Sequence, residues 1–250
     1  MKKAFIIAGI MIIVGVLICG ASYMAGAGQT NEKIIYKTEN IEAESIVLNA
    51  ESDISVIQGD RFCITYPDNE SMSFISRYEN NVYIAEHSKK EKTFLGFVLD
   101  LSLDFDAHKE NGIIIEIPGD FIGKISLKTN SGDIKVSDVH ADEIKIETDF
   151  GNIYIGNSFG DINTYTNVGD ISIDKAIGNL KAKSDHGDIT AKYIESDKID
   201  VESDLGDIDL LVSGSENEYT INGKGNGTKE IYIESNIGDV ELHFSENQKK

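Results

Sequence analysis

The chain repeats a short motif, glycine followed by Asp or Asn and then by Ile, Leu or Val. Residues 160 to 189 read GDINTYTNVGDISIDKAIGNLKAKSDHGDI, where the motif returns every nine residues. The glycine and its polar neighbour occur as Gly132-Asp133, Gly151-Asn152, Gly160-Asp161, Gly169-Asp170, Gly178-Asn179, Gly187-Asp188, Gly206-Asp207 and Gly238-Asp239. A fixed period of this kind is typical of repeat architectures, in which each unit packs mainly on its neighbours.

Two intervals between motifs are nineteen residues long instead of nine. Each of them contains a copy that lacks glycine, Asp142-Glu143-Ile144 in the first and Asp197-Lys198-Ile199 in the second. Asp tolerates the left-handed backbone region better than most residues do. We therefore expect both copies to form the same turn as the glycine copies.

Apolar residues follow each turn in pairs two positions apart, as in Ile134 with Val136 and Ile171 with Ile173. This alternation predicts β-strands, and no proline after Pro118 interrupts them. We expect glycine to form the corner, Asp or Asn to hydrogen-bond the backbone of the turn, and the apolar residue to begin the inward face.

Two nine-residue units make a coil that brings the chain back over itself. Coils stacked about 4.8 Å apart would pair each backbone with the next and bury the aliphatic pairs in a continuous core. The sequence therefore predicts an all-β fold, a β-solenoid of the parallel β-helix type, with two strands and about 18–19 residues per coil.

The N-terminal stretch has two lysines, Lys2 and Lys3, and then no charge until Glu32. Residues 4–28 are almost wholly apolar or small, which suffices for the ~20 residues of a membrane-spanning helix. The lysines place the N-terminus in the cytoplasm and the bulk of the chain outside, at the cell membrane as a single-pass protein. A cleaved signal peptide is the alternative, because Ala25-Gly26-Ala27 offers small residues for processing.

These patterns divide the chain into four parts. They are a signal anchor at 1–31, an N-terminal β region with a hairpin at 32–125, the repeat solenoid at 126–244 and a polar tail at 245–250. In the second part, Ser52-Asp53-Ile54 looks like a degenerate first copy of the repeat. Residues 94–98 predict a hairpin packed on the solenoid, and a membrane-touching loop is the alternative.

The charge and the cysteines limit the partners and the compartment. The formal net charge is −20, from which we expect repulsion of nucleic acid and of anionic lipid headgroups by the acidic body. Only Cys19 and Cys63 are present, so the chain has no disulfide framework. This is compatible with a bacterial envelope protein, in which Cys63 serves as a small buried hydrophobe.

Motifs that superficially suggest chemistry fit the repeat better. Gly156-Asn157-Ser158-Phe159-Gly160 matches G-x-S-x-G, but that nucleophile elbow requires a following helix, which we do not predict. Residues 223–229 read GKGNGTK without the ending of a phosphate loop, and we interpret them as a loop between strands. The histidines are dispersed. We therefore predict no catalytic residue, no metal site and no cofactor.

A calcium-binding nonapeptide roll shares the nine-residue period. Its carboxylate stands two positions before the large apolar residue, whereas Asp161 directly precedes Ile162. An offset of one residue turns a side chain to the other face of a strand. The calcium ligands are therefore not assigned, although a column of Asp170, Asp188 and Asp207 leaves weak calcium binding open as an alternative.

The run NGIIIEIPGDFIGKISLKTNSGDIKVSDV, around Gly112, and the repeats after it resemble the bacterial putative-adhesin family of β-strand-repeat envelope proteins, including LiaG-like proteins. The resemblance covers roughly residues 40–244. It implies a membrane-anchored or secreted bacterial surface protein, often associated with envelope stress, and offers no catalytic residues.

We therefore expect a non-enzymatic surface-interaction module. Tyr154, Tyr165 and Tyr232 fall on outward positions and form a candidate binding surface for an unknown surface glycan or envelope protein. Unpaired strand edges at the ends of the stack would permit self-association. Two alternatives remain: an accessory or sensory protein of an envelope-stress system, and a polysaccharide-acting enzyme, which would need convergent charged groups in a cleft.

Overall fold

A computed structural model of the chain describes residues 35–68, 72–90, 93–94, 97–98 and 112–246. Within these ranges the regular structure is β, apart from one turn of 3-10 helix at Glu216–Glu218 and a 3-10 stretch at residues 245–246. No helix among the described residues has the length and apolar character needed to cross a membrane. The predicted anchor at residues 4–28 lies outside the described residues, as does Cys19.

Nine strands precede the regular repeat. They are β1 (Ile35–Asn40), β2 (Ser45–Ala50), β3 (Ile54–Gly59), β4 (Cys63–Asp68), β5 (Met72–Glu79), β6 (Val82–Lys89), β7 (Thr93–Phe94), β8 (Phe97–Val98) and β9 (Ile113–Pro118). Strands β7 and β8 pair with each other as a short antiparallel hairpin.

Twelve more strands follow and carry the motif. They are β10 (Lys124–Ser131), β11 (Ile134–Ser137), β12 (Val139–Phe150), β13 (Ile153–Val168), β14 (Ile171–Ile177), β15 (Leu180–His186), β16 (Ile189–Glu195), β17 (Lys198–Leu205), β18 (Ile208–Val212), β19 (Tyr219–Ile221), β20 (Lys229–Ile237) and β21 (Val240–Phe244).

Most of the strands stack in two parallel columns, and each coil contributes one segment to each column. At the N-terminal end, β1 pairs with β4, β4 with β9 and β5 with β6, all antiparallel. The first column runs through β9, β3, β11, the start of β13, β14, β16, β18 and β21. The second runs through β6, β2, β10, the ends of β12 and β13, β15, β17 and β20. The all-β, solenoid-like fold predicted from the sequence is confirmed.

The two columns face each other across one core. Ile153, Ile155 and Ile173 on the first column are fully buried, and Ile144 and Val201 on the second are equally inaccessible. A single apolar cluster extends from Ile41 to Phe244 and takes its side chains from both columns. Cys63 is buried with a free thiol, as a small apolar residue would be.

The two glycine-free copies do not form the turn that we expected from the sequence. Among the described residues, the non-glycine positions with positive φ are Asn80, Asn81, Asp138 and Asn222, so the left-handed prediction for Asp142 and Asp197 is wrong. Each of these two corners instead contains one more residue than a glycine corner. The coils with a glycine-free copy therefore have nineteen residues and not eighteen. Without positive φ, the backbone needs a wider bend.

A column of hydroxyl groups runs along the core, three residues before each glycine of the first-column turns, and all but the last, that of the half-buried Ser235, belong to buried residues. The hydroxyl of each residue donates to the backbone carbonyl of the turn in the adjacent coil. The bonds are Thr129 to Ser52, Thr148 to Gly132, Thr166 to Gly151, Ser184 to Gly169, Ser203 to Gly187 and Ser235 to Gly206, at 2.8–3.3 Å. Buried backbone carbonyls need hydrogen-bond donors. The hydroxyl column supplies donors to turn carbonyls that the hydrogen bonds between strands leave unpaired.

Substituting Thr166 by Val keeps the shape of the side chain and removes one bond of this column. We expect the free energy of unfolding to fall by about 1–2 kcal/mol, because the carbonyl of Gly151 loses its donor. Urea denaturation followed by circular dichroism measures the change. Thr190→Val, on a half-buried outward position of β16, is the control and should stay within about 0.5 kcal/mol of the parent. Equal losses in both variants would contradict this role of the hydroxyl.

The C-terminal end of the second column is partly covered by the segment that connects β18 to β20. Asn222 and Gly223 form a two-residue turn with positive φ at both positions, which is typical of a type I′ hairpin. The side-chain amide of Asn222 donates to the carbonyl of Ile233 at 3.0 Å and accepts from its N–H at 2.9 Å. The Asn222 side chain therefore makes the two backbone hydrogen bonds to Ile233 that a neighbouring strand would make at this edge.

Candidate functional site

Glycines stack directly upon one another at the corner that leads into the first column, which we call the first corner. Its glycines have φ between +146° and +155°. A Cβ added to Gly169 would lie 2.0 Å from the carbonyl oxygen of Gly151, and one added to Gly187 would lie 2.0 Å from that of Gly169. Glycine is therefore required here by the close approach of adjacent coils as well as by the turn.

The polar residue after each glycine forms a continuous ladder along the first corner. Each side chain except the last accepts a hydrogen bond from the backbone N–H of the equivalent residue in the next coil, at 2.7–2.9 Å. The ladder consists of Asp53, Asp133, Asn152, Asp170, Asp188, Asp207 and Asp239. The sequence suggested that these side chains bond within their own turn, but they connect successive coils.

The corner that leads into the second column, the second corner, has a shorter version of this arrangement. Gly160 and Gly178 have φ of +120° and +129°. The N–H of Asn179 donates to the carboxylate of Asp161 at 3.0 Å. The glycine motif therefore alternates between two corners, and each corner repeats once per coil.

The Asp ladder does not gather metal ligands. One oxygen of each ladder side chain is engaged by a backbone N–H, up to the last coil. Within the part of the chain that the structure describes, one group of three potential ligands lies close enough to share an ion, namely Asp209, Glu241 and His243. All three side chains are exposed, and they lie beyond the ladder on β18 and β21.

Like charges along the ladder make a prediction for Asp188, which stands between Asp170 and Asp207. We expect Asp188→Asn to raise the free energy of unfolding by about 0.5 kcal/mol, because Asn keeps the acceptor oxygen and removes repulsion between stacked carboxylates. The gain should shrink in high salt. Urea denaturation at low and high ionic strength measures it. Asp188→Ala, which lacks the acceptor, should lose about 1 kcal/mol, and a loss of that size in the Asn variant would contradict the prediction.

The structure does not bring the three predicted tyrosines together. Tyr154 lies on the first column, whereas Tyr165 and Tyr232 lie on different positions of the second column. Their hydroxyls donate to carboxylates of Asp174, Asp185 and Glu234 respectively. The bond to Asp185, at 2.7 Å, raises the pKa of Tyr165 to about 12. These tyrosines therefore belong to separate polar networks and do not form one aromatic surface.

Ser158 of the G-x-S-x-G match lies within β13, where its hydroxyl is fully buried and has no hydrogen-bond partner among the described residues. It is not at a strand-to-helix turn, which a nucleophile elbow needs. The glycine-rich residues 223–229 connect β19 to β20. Both observations fit the structural roles expected from the sequence.

An open groove of 510 Å³ follows the second corner across several coils. Its walls carry opposite charges in ion pairs, Lys124 with Glu143 and Lys181 with Asp200, each at 2.9 Å. A smaller hollow of 310 Å³ beside it shares Lys198 and Asp200. The remaining charged residues of its lining are Asp142, Asp161 and Lys198, so the groove has a mixed charge along the second corner.

An exposed line along the first corner, apolar except for one histidine, was not anticipated from the sequence. It consists of the residues directly before five stacked glycines, which are Phe150, Val168, His186, Leu205 and Ile237. Phe150 is 59% exposed and Ile237 is 67% exposed. The sequence does show a large residue before each of these glycines. That these residues are neighbours becomes clear only when the structure shows which glycines share a corner.

A family model described as Toastrack DUF4097 matches residues 43–249. No curated protein matches the chain.

The chain is also similar to solved structures, all at low identity. A putative cell adhesion protein from Clostridium sporogenes ATCC 15579 is 14% identical, with a TM-score of 0.40, over 85% of this chain and 100% of that chain. A putative adhesin from Bacteroides fragilis NCTC 9343 is 13% identical, with a TM-score of 0.45, over 84% of this chain and 97% of that chain. A putative adhesin from Parabacteroides merdae ATCC 43184 is 12% identical, with a TM-score of 0.28, over 86% of this chain and 97% of that chain.

The family match spans most of the sequence, from β2 to the end of the last coil. It confirms the resemblance to putative-adhesin proteins with β-strand repeats that the sequence indicated. The chain therefore belongs to the Toastrack DUF4097 family.

Proposed function

We propose that this protein is a non-enzymatic, membrane-anchored module that binds other molecules at the outer side of a bacterial cell membrane. The observation that carries the proposal is the register of the coils. Equivalent residues of successive coils lie directly above one another, so outward side chains form straight columns on a rigid support. Extended repetitive surfaces of this kind serve binding in other solenoid proteins.

The anchor and the orientation in this proposal come from the sequence. Residues 4–28 are long and apolar enough to span a membrane, and Lys2 and Lys3 favour a cytoplasmic N-terminus. The net charge of −20 supports a protein or glycan partner over nucleic acid.

The first test concerns topology. The full chain with an epitope tag after Lys250 is expressed in bacteria, and intact cells are treated with protease. We expect the tag to be digested while a cytoplasmic marker survives. A tag that is protected until the cells are lysed would overturn the extracytoplasmic placement.

The second test concerns partners. Cross-linking on living cells is compared between the full chain and a variant whose residues 4–28 are replaced by an unrelated membrane span. A surface-interaction module should retain its cross-linked partners in both, because its binding surface lies in the coils. Loss of partners only in the exchanged variant would favour an accessory protein that binds through the membrane segment. Absence of any partner in both would contradict a binding role.

A further inference from the structure

The line of the first corner continues from coil to coil through Phe150, Val168, His186, Leu205 and Ile237, and four of its five members are apolar. Its members are register partners in successive pairs of strands, from β12 to β20. With strands about 4.8 Å apart, the five residues span about 19 Å. The four aliphatic and aromatic members are between 39% and 67% exposed.

The fold does not require these residues to be apolar. Ser131 occupies the equivalent position in an earlier coil, and His186 occupies it in the middle of the line, with the same turn after each. The side chains also point away from the core, since none of them belongs to the buried cluster. Contiguous apolar surface that packing does not explain marks an interaction site.

Acidic and amide side chains border the line on both sides. One border is the Asp ladder, and the other is the column of residues directly before the line. The two borders contain seven Asp, three Asn and no basic residue, namely Asp149, Asn152, Asn167, Asp170, Asp185, Asp188, Asp204, Asp207, Asn236 and Asp239. Few cations offset this charge, although Lys183 lies 3.8 Å from Asp185. The surface is therefore an apolar line between two anionic borders.

We infer that this line binds a basic amphipathic helix of a partner protein. Apolar side chains along one helix face would cover the line, and Lys or Arg on either side of that face would meet the two borders. At 1.5 Å per residue, about 13 residues of helix match the ~19 Å of the line. The inference deepens the proposed function and rests on it, because it names the partner class for the same coils.

Charge argues against two other occupants. A second copy of this chain would bring its own net charge of −20 and its own Asp ladder against the same surface. An anionic membrane would be repelled for the same reason. Neither repulsion applies to a basic segment, whose association the acidic borders would accelerate.

The test uses the full chain in nanodiscs of phosphatidylcholine and a fluorescent 14-residue peptide with leucines on one helical face and lysines elsewhere. A peptide of the same composition with scattered leucines, and empty nanodiscs, are the controls. Binding is followed by fluorescence anisotropy. We expect the amphipathic peptide to bind at least tenfold more tightly than the scattered one. Equal binding of both peptides would reduce the interaction to general charge attraction and overturn the inference.

Matched variants locate the site. The combination Phe150→Ser, Leu205→Ser and Ile237→Ser leaves the net charge unchanged and should weaken peptide binding at least tenfold. The control combination Ile35→Ser, Ile75→Ser and Ile122→Ser removes three residues that are at least as exposed on average, at 58%, 62% and 77%, and should change nothing. Equal effects of the two combinations would overturn the inference, and circular dichroism verifies that both proteins are folded.

A second pair of variants examines the borders. The first variant combines Asp149→Asn, Asp185→Asn and Asp204→Asn, and it should weaken peptide binding and reduce the salt dependence of that binding. The second variant removes the same charge elsewhere, through Asp60→Asn, Glu79→Gln and Asp120→Asn, and it should have a smaller effect. Sedimentation of the parent at rising concentration checks for the second copy. Association that the serine variant of the line abolishes would assign the line to self-association and overturn the inference.

The cellular cross-linking experiment separates this inference from the proposed function. If the serine variant of the line keeps every partner that the parent protein cross-links, the line is not the binding site and the inference fails, while the proposed function stands. If the parent finds no partner on cells, the proposed function fails. Peptide binding in nanodiscs then still reports on the line itself.

Discussion

Gly187→Ala is expected to lower the free energy of unfolding by roughly 3–5 kcal/mol, a large fraction of the stability of a typical domain. Gly187 has φ of +153°, which side chains rarely adopt. Its added Cβ would also lie 2.0 Å from the carbonyl oxygen of Gly169 in the adjacent coil. The backbone of the corner must therefore shift, and the hydrogen bonds of two coils shift with it. Urea denaturation of the full chain, followed by far-ultraviolet circular dichroism, measures the loss.

Two other glycines separate the causes of this loss. Gly223 has a positive φ of +73°, but a Cβ added there would have no atom within 4 Å. Gly223→Ala should therefore lower the free energy of unfolding through backbone strain alone, by about 1–2 kcal/mol. Gly156→Ala has no positive φ, and its nearest contact is an ordinary 3.4 Å to Cα of Ser137, so it should be almost neutral. If Gly187→Ala loses no more than Gly223→Ala, the close stacking of the corner is not what requires glycine.

Asn222→Ala is expected to lower the free energy of unfolding by about 2 kcal/mol and to promote association between molecules. The substitution removes both side-chain bonds to the backbone of Ile233, at 2.9 and 3.0 Å. The N–H and carbonyl of that residue would then lie open at the end of the second column. Unpaired strand edges recruit strands from other chains.

Urea denaturation measures the first effect, and sedimentation velocity at several protein concentrations measures the second. Asn236→Ala is the control on the same strand, because its amide donates to the side chain of Asp204 and not to backbone. We expect this control to remain as monomeric as the parent and to lose less than about 1 kcal/mol. An Asn222→Ala protein that is as stable and as monomeric as the control would show that the amide does not protect the edge.

The local elements of this fold were predictable because they repeat. Glycine, a short polar residue and alternating apolar residues identify a turn and a strand within nine residues, and their recurrence indicates stacking. The buried pairs such as Ile171 and Ile173 follow directly from this pattern. The hydroxyl column was missed, because Thr166 and Ser184 read as polar strand positions until their bonds to glycine carbonyls are seen.

The candidate site was less predictable, because a site depends on which repeats share a column. Outward positions are marked by alternation, so the exposed side of each tyrosine could be assigned. The column to which each tyrosine belongs could not be assigned from the sequence. In the structure, Tyr154 and Tyr165 lie on different columns. In the same way, Phe150 and Val168 are eighteen residues apart in the sequence and become neighbours only in the coil.

The amino-acid pattern by itself determined that the motif-bearing part of the chain is β, that it repeats and that its aliphatic pairs are buried, since each of these depends on residues a few positions apart. The tertiary structure decided how long each coil is and therefore which residues of successive coils lie above one another. The physical reason is that a corner without positive φ needs one more residue, so each coil between β11 and β18 has eighteen or nineteen residues according to a local detail of the bend. The carboxylate ladder, the hydroxyl column and the exposed apolar line all follow from that alignment.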